Sequence, residues 1–506
     1  MSSKTRNINY YIFIFLCVLT SIAVSRGKCG GDEGAVCLSV QQFKIYNYSW
    51  SNFTLNSSLD GWFTHRLFWF FMQSGYSYIL DVISKAIPFL KNDMVREWAM
   101  SYLQVGVIFF ALVISFNYLF QRSKSISVSL SVLLLIWVGS YGISFLTGGF
   151  IENTLCLLLV IRLFYTDSSF NLLSKFDPFS IAVLDFLMVS IKTYSIIFCL
   201  ITLTELIIKM PPSVRKSFIS KYFTVFLSLL SMWFYFKHSV NFGHLEFYTD
   251  QMENSGNIMF VTAISNLFKA LFSFSYGILW TFPLIALPIM FRSIFKKAIY
   301  KYTAIIFLFM FFGFFPFWHG ANGIAGNRLI FPFLLSLIPE ISDCLFILYQ
   351  KNKKRFICAM LFLIILFFPT INYRHNLIVS NYLLPPSQVT PSTVNYNTLP
   401  YWQPQFYPPF FAWGVLLTKI NGNQIFRIRL NNEQINVLSK QIFPMTGLSR
   451  MIFLSTESSG ELNDKYSKKL PNPEKIKFLC VSLISIWILW ISAVYFKDTK
   501  LKIGDT

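Results

Sequence analysis

The chain has 506 residues, 54% of them hydrophobic and only 13% charged, with 57 phenylalanines and a formal net charge of +20. Such a composition excludes a disordered chain, a collagen-like fibre and an ordinary cytosolic enzyme, because a soluble core cannot hide that much apolar surface without patches that associate. The basic residues collect in short loops between apolar runs, the distribution of a positive-inside membrane protein, and this argues against nucleic acid as a partner.

Taken in chain order, the first apolar run extends from Tyr10 to Val24 behind Lys4 and Arg6, and reads either as a signal peptide or as a first spanning helix. Further apolar runs lie at roughly 99–120, 126–147, 152–165, 178–191, 194–209, 222–237, 268–291, 303–318, 328–349, 355–370 and 476–495. Counting the first run as a crossing, the sequence predicts an all-α polytopic membrane protein with about twelve transmembrane helices. Charge supports that thread, since Arg122, Lys175, Lys209, Arg215, Arg292, Lys301, Lys351, Arg355 and the lysines of the tail all fall on one side with the amino terminus. Several runs fall short of the roughly 20 residues that hydrocarbon demands. Within 178–209 two short helices turning near Lys192 preserve the charge pattern, whereas one long tilted helix reverses it downstream.

The thread leaves 26–98, 238–267 and 371–475 outside. In the first of these, Trp62 to Met72 and Tyr76 to Leu90, interrupted by Gly75 and Pro88, predict short helices lying on the membrane. Asn47, Asn52 and Asn56 stand in acceptor sequons and read as polar surface. The third begins with a proline-rich stretch, Leu383 to Pro409, which forbids regular helix or central strand, and Gly422 to Leu438 then alternates weakly in a strand-like way. A small C-proximal domain of α+β or irregular structure is therefore expected. The division that results is a transmembrane module over 1–370 with its outer loop 26–98, a cap or acceptor domain over 371–475, and a final helix with a basic tail over 476–506. Of eight cysteines, Cys29 and Cys37 share a polar loop and are either bridged or free.

Candidate chemistry gathers at the outer ends of the predicted spans. Asp32 and Glu33 sit among glycines just after the first run, where backbone can approach a ligand and a carboxylate can take a proton. The loop from Trp318 to Pro332 offers His319 as a proton shuttle, Asn327 as a polar contact, and Arg328 at a helix start, where a guanidinium can grip a phosphate; a snorkelling anchor is the alternative for Arg328. His238, His244, Glu246, Asp250 and Glu253 crowd together, a mixture that can supply a divalent ion, though no cofactor is required by the sequence. Glu152 and Lys192 complete the outer rim.

Three stretches carry a likeness. Gly31, Asp32 and Glu33; Asn266, Leu267, Phe272, Ser273, Gly277, Ile278, Leu279 and Pro283; and Gly326, Asn327, Arg328, Phe331 and Pro332 follow one another as motifs do in the superfamily of polytopic GT-C-fold glycosyltransferases, which the chain resembles over roughly 1–370. The resemblance implies a membrane enzyme that moves a sugar from a polyprenyl-phosphate donor to an extracytoplasmic hydroxyl on a glycan, lipid or protein, with inversion. It implies Asp32 as general base, Glu33 as its orienting partner or acceptor contact, and Arg328, or else Lys192, on the donor phosphate. His319, Asn327, Glu152, His244 and Glu246 would then line the acceptor or rim. Membrane lipids would surround an integral protein of a bacterial inner or plasma membrane. Three other functions fit the same thread: a transporter or flippase of lipid-linked saccharides, a membrane glycan ligase or polymerase, and a noncatalytic scaffold.

Overall fold

In a computed structural model, the described residues are 40–49, 67–88, 93–123, 126–137, 150–166, 177–239, 260–274, 277–313, 330–367, 402–422, 431, 432 and 435. Regular structure in them is helical: α1 Leu67–Ala86, α2 Asp93–Ser123, α3 Ile126–Trp137, α4 Phe150–Thr166, α5 Pro178–Ile191, α6 Ser195–Lys209, α7 Pro212–Ser239, α8 Phe260–Phe272, α9 Arg292–Gly313, α10 Phe331–Lys351, α11 Lys353–Phe367 and α12 Pro408–Asn421. A turn of 3-10 helix, Leu335–Leu337, is set into α10.

The helices correct the twelve-crossing thread. Among the described residues, two helices are long and apolar enough to cross a membrane by length and composition, Pro212–Tyr235 and Phe331–Lys351, and 78% of the apolar stretch of the second is buried inside the protein. The physical reason lies in length and packing. α5 and α6, both ends of which are described, have 14 and 15 residues, whereas about 20 are needed to span hydrocarbon, and the described parts of α3 and α11 have 12 and 15. Their apolar residues, including Val132, Met188, Phe198 and Met360, enter one core shared with α10. Hydropathy registered the apolar runs; what it could not register is that helices from distant parts of the chain bury them. The expectation of an integral polytopic membrane protein, and the localisation read from it, is corrected on that ground.

Local rules explain several departures from the expected elements. α1 runs unbroken through Gly75, where nothing lies within 4 Å of an added Cβ, and the helix stops before Pro88 instead of splitting in two. The run 268–291 is broken. α8 ends at Phe272, and one-turn helices Ile278–Thr281 and Leu287–Met290 follow, with a 3-10 turn Pro283–Ala286 between them. Gly277 makes the break: its N–H donates to the Ser273 carbonyl at 2.6 Å, and a Cβ there would stand 2.5 Å from that same oxygen. The glycine of that stretch thus has a steric reason that needs no ligand. A turn does occur at Lys192, whose N–H bonds to the Met188 carbonyl at 3.0 Å as α5 gives way to α6.

Residues 40–49 fold onto α1, with the Tyr48 hydroxyl on Ser77 at 3.1 Å and on Asp81, and the Phe43 ring 5.1 Å from that of Phe70. From the C-proximal segment, α12 buries Phe411, Ala412 and Val415 in the same core. The Tyr407 hydroxyl donates to the Trp280 carbonyl at 3.0 Å, and the Trp413 indole to the Ile365 carbonyl at 3.2 Å. The strand-like alternation at Ile425, Arg427 and Arg429, the final helix over 476–495 and the first apolar run all lie outside the described residues.

Candidate functional site

Charge inside the core is where this structure departs most from a simple apolar bundle. Arg162 near the end of α4 and Asp185 in the middle of α5 are both buried and face each other, Nε to Oδ1 at 2.5 Å and Nη2 to Oδ2 at 3.3 Å. Tyr222 of α7 donates its hydroxyl to Asp185 Oδ2 at 2.8 Å. The thiol of Cys199, on α6, faces the same carboxylate; burial first and then Asp185 push it well above the usual thiol range, so it stays protonated and unreactive. Four successive helices thus each send one polar side chain to a single junction.

Two further ion pairs tie the remaining long helices together. Arg122 of α2 grips Asp343 of α10 with two donors, at 2.9 and 2.7 Å. Lys301 of α9 reaches both oxygens of Glu340 on α10, at 2.7 and 2.9 Å. Removing one partner of a buried pair leaves an uncompensated charge, so such pairs fix helix register even where their net stabilisation is small.

The junction fixes how α7 is turned. Phe218, Tyr222 and Phe226, four residues apart, form its buried stripe. On the opposite side of the helix, half a revolution away, Ser213, Ser217, Ser220, Thr224, Ser228 and Ser231 recur at steps of three and four, and all are exposed. Beyond Phe226 no residue from Leu227 to Tyr235 is buried. Leu227 is 52% exposed, Met232 68% and Tyr235 77%. Lys216 and Lys221 flank the hydroxyl stripe in its first half. Arg215 turns back, donating to the Ile208 and Met210 carbonyls at 3.2 and 3.0 Å and closing the end of α6.

Of the residues singled out from the sequence, Asp32, Glu33, Arg328, His319, Asn327, His244 and Glu246 lie outside the described residues. Glu152 falls in the first turn of α4, and Lys192, half-buried, follows the last residue of α5. No group of three or more His, Cys, Asp or Glu that could hold a metal ion occurs among the described residues. Sequence reasoning passed over Arg162, Asp185 and Tyr222. The signal that could have found them was a charged residue inside each of two apolar runs, because a charge in apolar surroundings demands a partner.

No protein-family model, no curated protein and no solved structure matches the chain. The resemblance to GT-C glycosyltransferases is accordingly corrected: its motifs are short, no family model supports them, and the set of spanning helices that such an enzyme needs is not what the described residues form. The transferase activity, the polyprenyl-phosphate donor and the lipid partners inferred from that resemblance, together with the transport and ligase readings drawn from the same thread, are withdrawn with it.

Proposed function

We propose that the chain is a helical assembly protein in which α7 pairs, antiparallel, with α7 of a second copy. The observation that carries this reading is the hydroxyl stripe of α7, small and exposed along its length and opposite the buried stripe. Small side chains let two helix backbones approach closely, and a face made of one helix is complementary to its own copy about a two-fold axis. Aromatic residues and methionine are the types enriched in protein interfaces, and the exposed Met232, Phe234 and Tyr235 supply them at the end of the stripe. Charge chooses the direction. A parallel pair sets Lys216 and Lys221 against their own copies, whereas an antiparallel pair crossing near Thr224 separates the like charges, laying Lys221 beside Leu227 of the partner and Lys216 beside Met232 and the aromatic end, where a cation and a ring attract.

The test is photo-crosslinking of the purified full chain carrying benzoylphenylalanine at Ser228. Pairing predicts a product with twice the chain mass, which a Thr224→Trp change that fills the crossing abolishes. Crosslinks that go only to lipid or detergent, or a product that survives Thr224→Trp unchanged, overturn the reading.

A further inference from the structure

A separate feature is the outer face of α1, because this helix is turned inside out. Its inward side buries Gln73, Ser74, Ser77 and Ser84 together with Phe70 and Leu80. On the opposite side, Met72, Gly75, Ile79, Ile83 and Ile87 recur at steps of three and four, with Val82 beside them. The Ile87 N–H donates to the Ile83 carbonyl at 2.9 Å and so prolongs the helical turn to that residue. Met72, Ile79, Val82, Ile83 and Ile87 are between 40% and 52% exposed. An amphipathic helix on a folded body normally turns its apolar side inward and its polar side outward. An apolar stripe as long as the helix, left open on the outside, marks a surface that another element covers.

Gly75 narrows the kind of cover. A glycine inside a helix is destabilising relative to alanine, and no neighbour explains this one, since an added Cβ would meet nothing within 4 Å. It lies between Met72 and Ile79 on the open stripe, where the missing side chain leaves a notch that lets a second backbone approach closely.

The course of the chain ahead of α1 selects the occupant. Residues 40–49 lie along the flank of the stripe, with the Tyr48 hydroxyl on Ser77 and the Tyr48 ring 5.4 Å from that of Tyr78, itself exposed at the stripe's edge. The sequence that leads into Val40 holds the apolar run Tyr10 to Val24, and no charged residue occurs from Asn7 to Ser25. From these placements we infer that Tyr10–Val24 packs as a helix along the outer face of α1, so that the chain covers its own apolar stripe. In that form the run and the stripe from Met72 to Ile87 are matched, at about 22 Å each. Residues 25–39 bridge up to about 50 Å, several times the 10–12 Å width of a helix, so the run reaches the stripe in either direction. A tether of that length holds the run beside the face at roughly millimolar effective concentration, ahead of a second molecule. The other apolar run outside the described residues, 476–495, is separated from α12 by residues 423–475 and has no such attachment beside α1.

The experiment uses the purified full chain carrying benzoylphenylalanine at Ile79, with the crosslinked peptides mapped by mass spectrometry. Docking predicts a product of single-chain mass in which position 79 is joined to Tyr10–Val24. Val18→Lys should lower its yield by about tenfold or more, because a lone ammonium is costly to bury against an apolar face. Gly75→Leu fills the notch with a better helix former and should lower the yield too, while helix content by circular dichroism stays unchanged. That pairing separates a blocked face from misfolding. A product of twice the chain mass, crosslinks only to lipid, detergent or residues 476–495, a yield indifferent to both changes, or a purified chain that begins after Val24 each overturns the inference. The probe lies on α1 and the expected product keeps the mass of one chain, so the result is independent of whether α7 pairs.

Discussion

Both halves of α7 carry phenylalanine and tyrosine, yet the first half buries Phe218, Tyr222 and Phe226 while the second leaves Leu227, Met232 and Tyr235 bare. Hydrophobicity does not account for this, since the more apolar stretch is the barer one. What does is the neighbour: the first half lies on α5, held there by a hydroxyl on a buried carboxylate, and from Leu227 to Tyr235 the packing is partial, through Leu230 and through Trp233, whose ring is 6.2 Å from that of Phe186. A helix can carry apolar residues along its whole length and be held mainly by one of its halves.

The largest effect should come from breaking the anchor. Asp185→Ala strands the Arg162 guanidinium in the core, and the loss of one partner of a buried pair costs about 3–5 kcal/mol. Urea titration of the full chain should show it as a lowered midpoint. The double change Arg162→Met with Asp185→Leu should recover most of that loss, because a buried pair replaced by apolar groups of similar size is often neutral. A single variant as stable as the parent would show that the junction does not hold the helices.

A matched pair of substitutions on the same helix sharpens the contrast. Tyr222→Phe removes a hydrogen bond to a charged acceptor, and such bonds contribute about 1.5–3 kcal/mol. Tyr235→Phe removes the same atom from a side chain that is 77% exposed, and surface changes of that kind stay within about 0.5 kcal/mol. Equal losses from the two would erase the distinction between the halves of α7.

Much of the local structure was legible in the sequence. The turn at Lys192 followed from the charges around it, whereas the break after α8, at Gly277 and Pro283, fell inside a run read as one span. The helix starts near Pro178 and Lys353 matched the ends of apolar runs. What was not legible is what each run packs against. Arg162 and Asp185 stand 23 positions apart and Arg122 and Asp343 221 apart, and no local period encodes such pairings. The hydroxyl stripe of α7 could be read at steps of three and four, but only the burial of Tyr222 on the other side told which face was free. The carboxylate and guanidinium expected to form an active site, Asp32 and Arg328, lie outside the described residues, so the candidate surface rests on residues read from the sequence as a basic loop, Ser213 to Lys221, and the span that follows it.

A smaller loss than that of either buried group concerns the second acid of α5. Asp177 precedes that helix and accepts from the Phe179 and Ser180 N–H groups at 3.2 and 3.0 Å, with the Ser180 hydroxyl on the same carboxylate. Partial burial acts to raise its pKa, but the Ser180 hydroxyl and the two backbone donors outweigh it, and the carboxyl is held below its usual range. A folded value below the unfolded one means that the cap stabilises the protein above the ordinary carboxylate range and loses that contribution as pH falls through the folded value. Asp177→Ala should therefore cost about 0.5–2 kcal/mol at neutral pH, and the gap from the parent should close as the solution is acidified below about pH 4. On one helix, then, the buried Asp185 and the outer Asp177 test the same contrast that α7 displays along its length. If Asp177→Ala proved as damaging as Asp185→Ala, or if its deficit did not shrink in acid, capping would not be its role.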